Sequence, residues 1–165
     1  KKTVSSLPDQ IHFGIIADQI RDPGNLGTII RVASAAGAQF VITTKGSVDL
    51  FSPKVMRSAM GAHFHTLCLE QEWDQILHTR DSSQIRPISY VATAEADLIC
   101  WNCDFVQPTI LIIGNEADGP TANSFNFADH HVSIPMPGNF ESLNAAIAAG
   151  ILIFEVVRQR TSSNK

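Results

Sequence analysis

Three segments of this chain place glycine beside side chains that can donate, accept or carry charge: Asp22-Pro23-Gly24-Asn25-Leu26-Gly27, Gly114-Asn115-Glu116-Ala117-Asp118-Gly119-Pro120, and Pro135-Met136-Pro137-Gly138-Asn139-Phe140-Glu141-Ser142-Leu143-Asn144. Glycine lets a backbone come close to a ligand, and the neighbouring Asn, Ser and Glu supply hydrogen-bonding atoms. Each segment alone is explained as a turn, because Gly, Pro, Asn and Asp are ordinary turn residues. Three of them, each following an apolar run, shift the balance toward a shared site. Open α/β sheets bind ligands outside the carboxyl ends of their strands.

The residues differ in what they can do. Asn25 suits the N-cap of a helix whose amino end, with unpaired N–H groups and the positive end of its dipole, can receive an anion. Arg31 lies two turns or less from that end and could bind a phosphate; a surface salt bridge to Asp22 or Asp18 is its other reading. Glu116 follows the apolar run Thr109–Ile113, which brings a carboxylate to the edge of a sheet where substrate could reach it. An exposed turn carboxylate is the alternative. Ser142 suits the N-cap of a long apolar helix, a structural role that needs no function. Asn144 falls in the first turn of that helix, where an amide needs a partner.

Neither G-x-G-x-x-G nor G-x-x-x-x-G-K-[ST] occurs, so dinucleotide and P-loop nucleotide chemistry lose support. Cys100-Trp101-Asn102-Cys103 has C-x-x-C spacing, and His63 and His65 would share one face of a strand. A structural zinc site wants four ligands and no second C-x-x-C exists, so a metal is set aside.

Positioning these loops requires alternating strands and helices. Strands are expected near Ile11–Ala17, Gln39–Thr43, His63–Leu69, Pro87–Thr93, Thr109–Gly114 and His131–Pro135. Helices are expected at Leu26–Ala36, Pro53–Met60, Glu70–Thr79 and Ser142–Arg160, with a weaker one after Pro120. This order predicts an α/β fold: a mostly parallel sheet with helices on both faces. Leu26, Ile29, Ile30 and Ala33 form the buried stripe of the first helix, and Gly37 suits its C′ position. Trp73 and Ile76 read as helix core rather than a base-stacking platform. The last helix is apolar around its whole circumference at Ala145–Phe154, so it must be covered by its own sheet and, on one reading, by a second subunit.

Composition narrows the class further. A chain of 165 residues, 44% hydrophobic and 17% charged, can bury one core and reads as one domain. No apolar run reaches the roughly eighteen residues needed to cross a bilayer, so no membrane role is expected. Three cysteines fit a reducing compartment, the cytoplasm or an organelle interior. A formal charge of −4 is not the footprint of a chain that grips nucleic acid by itself.

Taken in order, Asn25-x-Gly27-x-x-x-Arg31-x-Ala33, Gly114-Asn115-Glu116 and Ile134-Pro135-Met136-x-Gly138-x-x-x-Ser142-Leu143-Asn144 resemble the three motifs of the SpoU (TrmH-like) RNA 2′-O-methyltransferases. The resemblance runs from about Ile11 to Arg160, and the segment Ser52–Ala62 is similar to the family's stretch between the first two motifs. It departs at Ala117 and Pro120, where many members carry Gly and Leu, and at Ala145, where valine is common.

The resemblance implies the SPOUT fold, with a C-terminal deep trefoil knot, in a homodimer. It implies S-adenosylmethionine as cofactor, held by Gly114, Asn115, Ile134, Pro135, Met136, Ser142 and Leu143, with Thr93 as a weaker candidate. Its catalytic set would be Asn25, Arg31, Glu116, Ser142 and Asn144, acting on a ribose 2′-hydroxyl of RNA. Ribosomal RNA is the first expectation and transfer RNA the second. Arg31 would grip the RNA phosphate and ribose and is one candidate general base; because a guanidinium normally stays protonated, phosphate positioning is its expected role and Glu116 is the alternative base or orienter. A silent RNA-binding module of the same fold is the rival. Residues 1–10 read as a linker from an N-terminal RNA-binding domain, and 11–165 as the catalytic domain.

Overall fold

The computed structural model describes residues 7–138 and 141–163. Residues 1–6 of the expected linker lie outside it. Leu7 packs against the core, and the carbonyls of Asp9 and Gln10 accept hydrogen bonds from Gln84 N–H and the Gln39 amide.

The elements run β1 (Phe13–Ala17), α1 (Pro23–Ala35), β2 (Phe40–Thr43), α2 (Pro53–Ser58), β3 (Leu67–Glu70), α3 (Trp73–Asp81), β4 (Ile88–Ala92), β5 (Thr109–Ile113), α4 (Ala122–Phe127), β6 (His130–Val132) and α5 (Ala145–Ser163). Short 3₁₀ turns occupy Ala62–Phe64 and Cys100–Asn102. The strands form one sheet in the order β3-β2-β1-β5-β4-β6, and every ladder is parallel.

Every residue of β1 and β5, at the centre of the sheet, is buried. That is why both sequences are continuous apolar runs. The pleat divides them: Phe13, Ile15, Ala17, Leu111 and Ile113 face one core with α1, α2 and α5, whereas Ile16, Ile110 and Ile112 face a second core with Ile76 of α3 and Phe127 of α4. Helices therefore cover both faces, as the alternation of elements implies. Among the described residues no helix is long and apolar enough to cross a membrane.

Chain order reverses between β1 and β5. The chain builds β1, β2 and β3 outward in one direction, then returns to lay β4 and β5 on the other side of β1. Ala17 is paired with Ile113, so the loops leaving these two strands emerge side by side. A crevice at such a switch point is where a doubly wound sheet binds its ligand.

Several boundaries differ from expectation: α3 starts at Trp73 because Glu70 ends β3, β6 stops at Val132, and three others have a local reason. Helix α1 begins at Pro23 because Asp22 is its N-cap, its carboxylate accepting the Asn25 N–H at 2.8 Å, and proline suits the first helical turn. Asn25 is therefore inside the helix, and its side chain is free of the capping role. At the end of α2, Met60 (φ 51°) and Gly61 (φ 84°) adopt left-handed backbone, so His63 falls in a 3₁₀ turn and strand β3 starts only at Leu67. His63 and His65 do not share a strand face. Helix α5 begins at Ala145, not Ser142, because Asn144 supplies the cap: its Oδ1 accepts the N–H groups of Ala146 and Ile147 at 2.9 and 3.2 Å.

Candidate active site

Release of Asn25 and Ser142 from capping leaves both available to the site. The Asn25 Nδ2 donates to Glu116 Oε1, and the Asn25 Oδ1 accepts from Asn144 Nδ2 at 3.0 Å. One amide thus ties the second loop to the third. Because each asparagine uses its carbonyl oxygen as acceptor and its NH₂ as donor, the chain Asn144 to Asn25 to Glu116 has a single direction and ends on a carboxylate.

The second loop is folded on its own backbone. Asn115 and Gly119 form an isolated antiparallel bridge, and the Asn115 Oδ1 accepts from Ala117 N–H at 2.8 Å. Its Nδ2 donates to the Gln19 carbonyl at 2.9 Å, which holds this loop against the loop leaving β1. Gly114 is required here by close approach: a Cβ would stand 2.3 Å from the Pro120 nitrogen.

Beneath both loops lies Asp18, fully buried, a residue that sequence reading considered only as a partner for Arg31. Its Oδ1 accepts from Thr44 Oγ1 at 2.7 Å, and its Oδ2 from Thr121 N–H at 2.8 Å and Ser124 Oγ at 2.6 Å. A buried carboxylate needs such a set of donors to offset lost hydration. It fastens the ends of β1 and β2 to the start of α4.

A cleft of about 380 Å³ opens beside this network at the carboxyl ends of β4 and β5. Thr93, Gly114, Asn115, Glu116, Ile134, Met136, Ser142 and Leu143, all expected site residues, line it. Ile134–Met136 belongs to neither strand nor helix, so its backbone is not committed to a ladder. Pro135 is exposed and does not line the cleft, and Asn25 and Asn144 stand at its border through Glu116.

Arg31 is not part of this assembly within one chain. Six residues beyond Asn25 on α1, it sits about 9 Å further along the helix axis. It is exposed and forms no ion pair among the described residues. The salt bridge to Asp22 or Asp18 is absent because Asp22 caps α1 and Asp18 is enclosed by its own donors.

Sequence reading missed the acidic lining. Glu95, Asp118 and Glu141 join Glu116 around the cleft, and among the described residues only Asp118 of these forms an ion pair, with exposed Arg21 at 3.1 Å. Carboxylates of one sign around a recess favour a cationic ligand. The apolar remainder, including Ile113, Val132, Ile134 and Leu143, suits a flat ring system. Among the described residues no three His, Cys, Asp or Glu gather in a way that could hold a metal ion. All three cysteines are free and buried, and burial pushes the thiols of Cys68, Cys100 and Cys103 up to about 12, 11 and 11. Such thiols make poor nucleophiles.

Comparison with known proteins agrees with this geometry. The model of the SpoU rRNA Methylase family matches residues 12–154. An uncharacterized tRNA/rRNA methyltransferase of Synechocystis is 35% identical over 160 residues, covering 96% of this chain and 58% of that protein. The 23S rRNA (uridine(2479)-2′-O)-methyltransferase of Streptomyces viridochromogenes is 38% identical over 158 residues, covering 91% and 54%. The crystal structure of the SpoU methyltransferase AviRb from Streptomyces viridochromogenes in complex with the cofactor AdoMet superposes with a TM-score of 0.89 at 34% identity, covering 96% of this chain and 65% of that one. The chain spans little more than half the length of these curated relatives.

Proposed function

This chain belongs to the SpoU rRNA Methylase family, and on that premise we propose that it transfers a methyl group from S-adenosylmethionine to a ribose 2′-hydroxyl of ribosomal RNA. The observation that carries the reading is the hydrogen-bonded run from Asn144 through Asn25 to Glu116, standing at the lip of an acid-lined cleft.

The cleft fits the donor. Thr93, Gly114, Asn115, Ile134, Met136, Ser142 and Leu143 would hold it, with Pro135 fixing the backbone course between Ile134 and Met136 through its locked φ. S-adenosylmethionine, when bound, supplies a methyl group on a cationic sulfonium. Glu95, Glu116 and Glu141 match that charge.

The chain's own residues must position a ribose and accept its proton. Asn25 fixes one oxygen of Glu116, and the other, which has no hydrogen bond among the described residues, would receive a proton or orient the hydroxyl. Asn144, anchored by capping α5, keeps Asn25 in the required rotamer. Arg31 carries a planar guanidinium whose fork of N–H donors matches a phosphate, so its assignment is the RNA phosphate.

A homodimer belongs to the proposal. The outer stripe of α5 exposes Ile147 (56%) and Phe154 (50%) with Ile151 between them, and α5 packs against α1, which carries Arg31. A second copy covering that stripe would come close to Arg31 of this chain and complete a site that one chain leaves without its cation. The knot is proposed with it on the family resemblance; Ser133, entering the third loop, exchanges hydrogen bonds with Leu98 and Cys100, which lays that loop against the β4–β5 connection. Three free thiols fit a reducing, cytoplasmic setting.

The test is titration calorimetry with S-adenosylmethionine, followed by transfer of a labelled methyl group to ribosomal RNA and mapping of the modified ribose. Donor binding without label in any ribosomal RNA, but with label in transfer RNA, would move the substrate to the second reading. Label in neither would leave a silent module.

A further inference from the structure

The segment between β2 and β3 carries features that the proposed site does not use. Phe51, Met60 and Phe64 are 61%, 72% and 83% exposed, among the most exposed large apolar side chains described. Single exposed apolar residues are ordinary, but these belong to one neighbourhood. Phe51 stacks at a tilt on His63, with ring centroids 5.6 Å apart, and His63 is fixed by its Nε2–H donating to the Leu50 carbonyl at 2.9 Å. Phe64 follows directly, its ring 3.8 Å from where a Cβ on Gly61 would stand.

Met60 is held there against its backbone preference. Its φ of 51° places it in the left-handed region at the position just past α2 where helices favour glycine. An apolar side chain that is strained and still pointed at solvent is not explained by folding.

Charge selects the occupant. Between residues 45 and 66 the chain carries Lys45, Lys54 and Arg57 against a single acid, Asp49, in a protein whose formal charge is −4. Lys54 and Arg57 are i and i+3 on α2, on the stripe that continues toward Met60, and neither forms an ion pair among the described residues. Two copies meeting through this face would bring like charges together. A polyanion with flat, unstacked rings would meet cations and aromatic faces at once.

The patch is also tied to the active site. Ser58 on the inner side of α2 donates to the Gly24 carbonyl at 2.9 Å, one residue from Asn25, and a Cβ on Gly27 would lie 2.4 Å from the Ser58 Cβ. We propose that Phe51, Met60 and Phe64, with Lys54 and Arg57, form a stacking platform for unpaired nucleotides flanking the target ribose, so that this face selects single-stranded RNA. The inference rests on the proposed RNA substrate.

Its experiment is fluorescence anisotropy with a fluorescein-labelled twelve-nucleotide oligouridine, free or annealed to oligoadenine, on the 165-residue chain and on Phe51→Ala, Phe64→Ala, Met60→Gly and Lys54→Ala/Arg57→Ala variants. The single strand should bind more tightly than the duplex. Each aromatic variant should weaken single-strand binding by at least about fivefold, the lower range for loss of one base–aromatic stack. Met60→Gly relieves backbone strain, so it should weaken binding without lowering the melting temperature, which excludes misfolding as the cause. The double cation variant should flatten the dependence of affinity on salt. Unchanged affinity in the aromatic variants, or no binding of the oligouridine by the parent, overturns the platform. So does a change in mass by light scattering in Phe64→Ala, which would assign the face to a second copy. Binding of the oligouridine without any donor binding would keep the platform and sink the methyltransferase; donor binding and transfer with unaltered RNA affinity in the variants would do the reverse.

Discussion

Asn144 and Asn25, separated by 119 positions in the chain, share a hydrogen bond of 3.0 Å, and the same Asn144 side chain caps α5 through its other end. Folding of the last helix and alignment of the site are therefore coupled through one amide. Two substitutions separate these roles. Asn144→Asp keeps an acceptor for the Ala146 and Ile147 N–H groups but cannot donate to Asn25, so stability should stay near the parent's while methyl transfer falls by up to about a hundredfold, the lower range for general acid–base catalysis. Asn144→Ala loses both, and should cost about 1 kcal/mol of stability as well. Melting curves and transfer rates on the pair check this; equal activity in Asn144→Asp and the parent would remove the amide chain from the mechanism.

Gly114 offers a second point of leverage. A methyl group there would press on the Pro120 nitrogen and Gly119 carbonyl carbon at 2.3 and 2.6 Å, backbone atoms that cannot swing aside. Gly114→Ala should therefore push the second loop away from its bridge and distort the wall of the cleft. Overpacking of this kind costs about 1–3 kcal/mol. Donor affinity by calorimetry should fall with it, while the oligouridine affinity of the α2 face stays as it was.

Much of this is legible in the sequence. Alternation of apolar runs and helical stripes gave the parallel sheet, since buried strands such as Thr109–Ile113 and the stripe Leu26, Ile29, Ile30, Ala33 depend only on local period. The loops carried their chemistry in residue type, and Glu116, Asn25 and Asn144 do meet. Capping was less legible. Asp22 and Asn25 are both competent caps, and so are Ser142 and Asn144; proline at position 23 and the reach of Asn144 decide between them, and only packing shows which reach is used. Asp18 was hidden for another reason. Its donors come from residues 44, 121 and 124, contacts that no spacing along the chain displays. The acid lining escaped notice for the same cause, because Glu95 and Glu141 sit in different connections and converge only in three dimensions.

Asp129 gives the fold a pH dependence that can be separated from the site. Burial pushes its carboxyl up, but hydrogen bonds from Arg86, from the Ser89 hydroxyl and from the Ser89 N–H outweigh this and hold it down at about 2. A carboxyl lowered in the folded state stabilises above its unfolded value, near 4, and loses that contribution as pH falls toward 2. These bonds fix the start of β6 beside β4, and β6 leads into the third loop. Acid titration of stability should show a loss on the order of 1 kcal/mol between about pH 5 and pH 2, after allowing for solvent screening at a partly exposed carboxylate. Asp129→Asn should remove most of that slope. An identical slope in the variant would mean that other carboxylates dominate acid unfolding.

Arg31 provides the sharpest separation of function from fold. It is exposed, forms no ion pair among the described residues and lies opposite the stripe that buries Leu26, Ile29, Ile30 and Ala33. Surface substitutions of this kind change stability by no more than about 0.5 kcal/mol. Arg31→Ala should therefore melt with the parent and bind S-adenosylmethionine as the parent does, because the cleft does not include it. Transfer to RNA should nevertheless fall by at least about a hundredfold, the lower range for loss of an aligned electrostatic contact to a reacting group. Arg31→Lys should recover only part of the rate, since an ammonium keeps the charge but not the two-pronged geometry that matches a phosphate. The dependence on a second copy can be read in the same assay by mixing. If Arg31 of one chain serves the cleft of another, Arg31→Ala combined with a Glu116→Gln chain should regain activity through the mixed dimer, whose one intact site draws each residue from a different partner. If mixing recovers nothing while the chains demonstrably exchange, Arg31 must act on the RNA bound at its own chain's cleft.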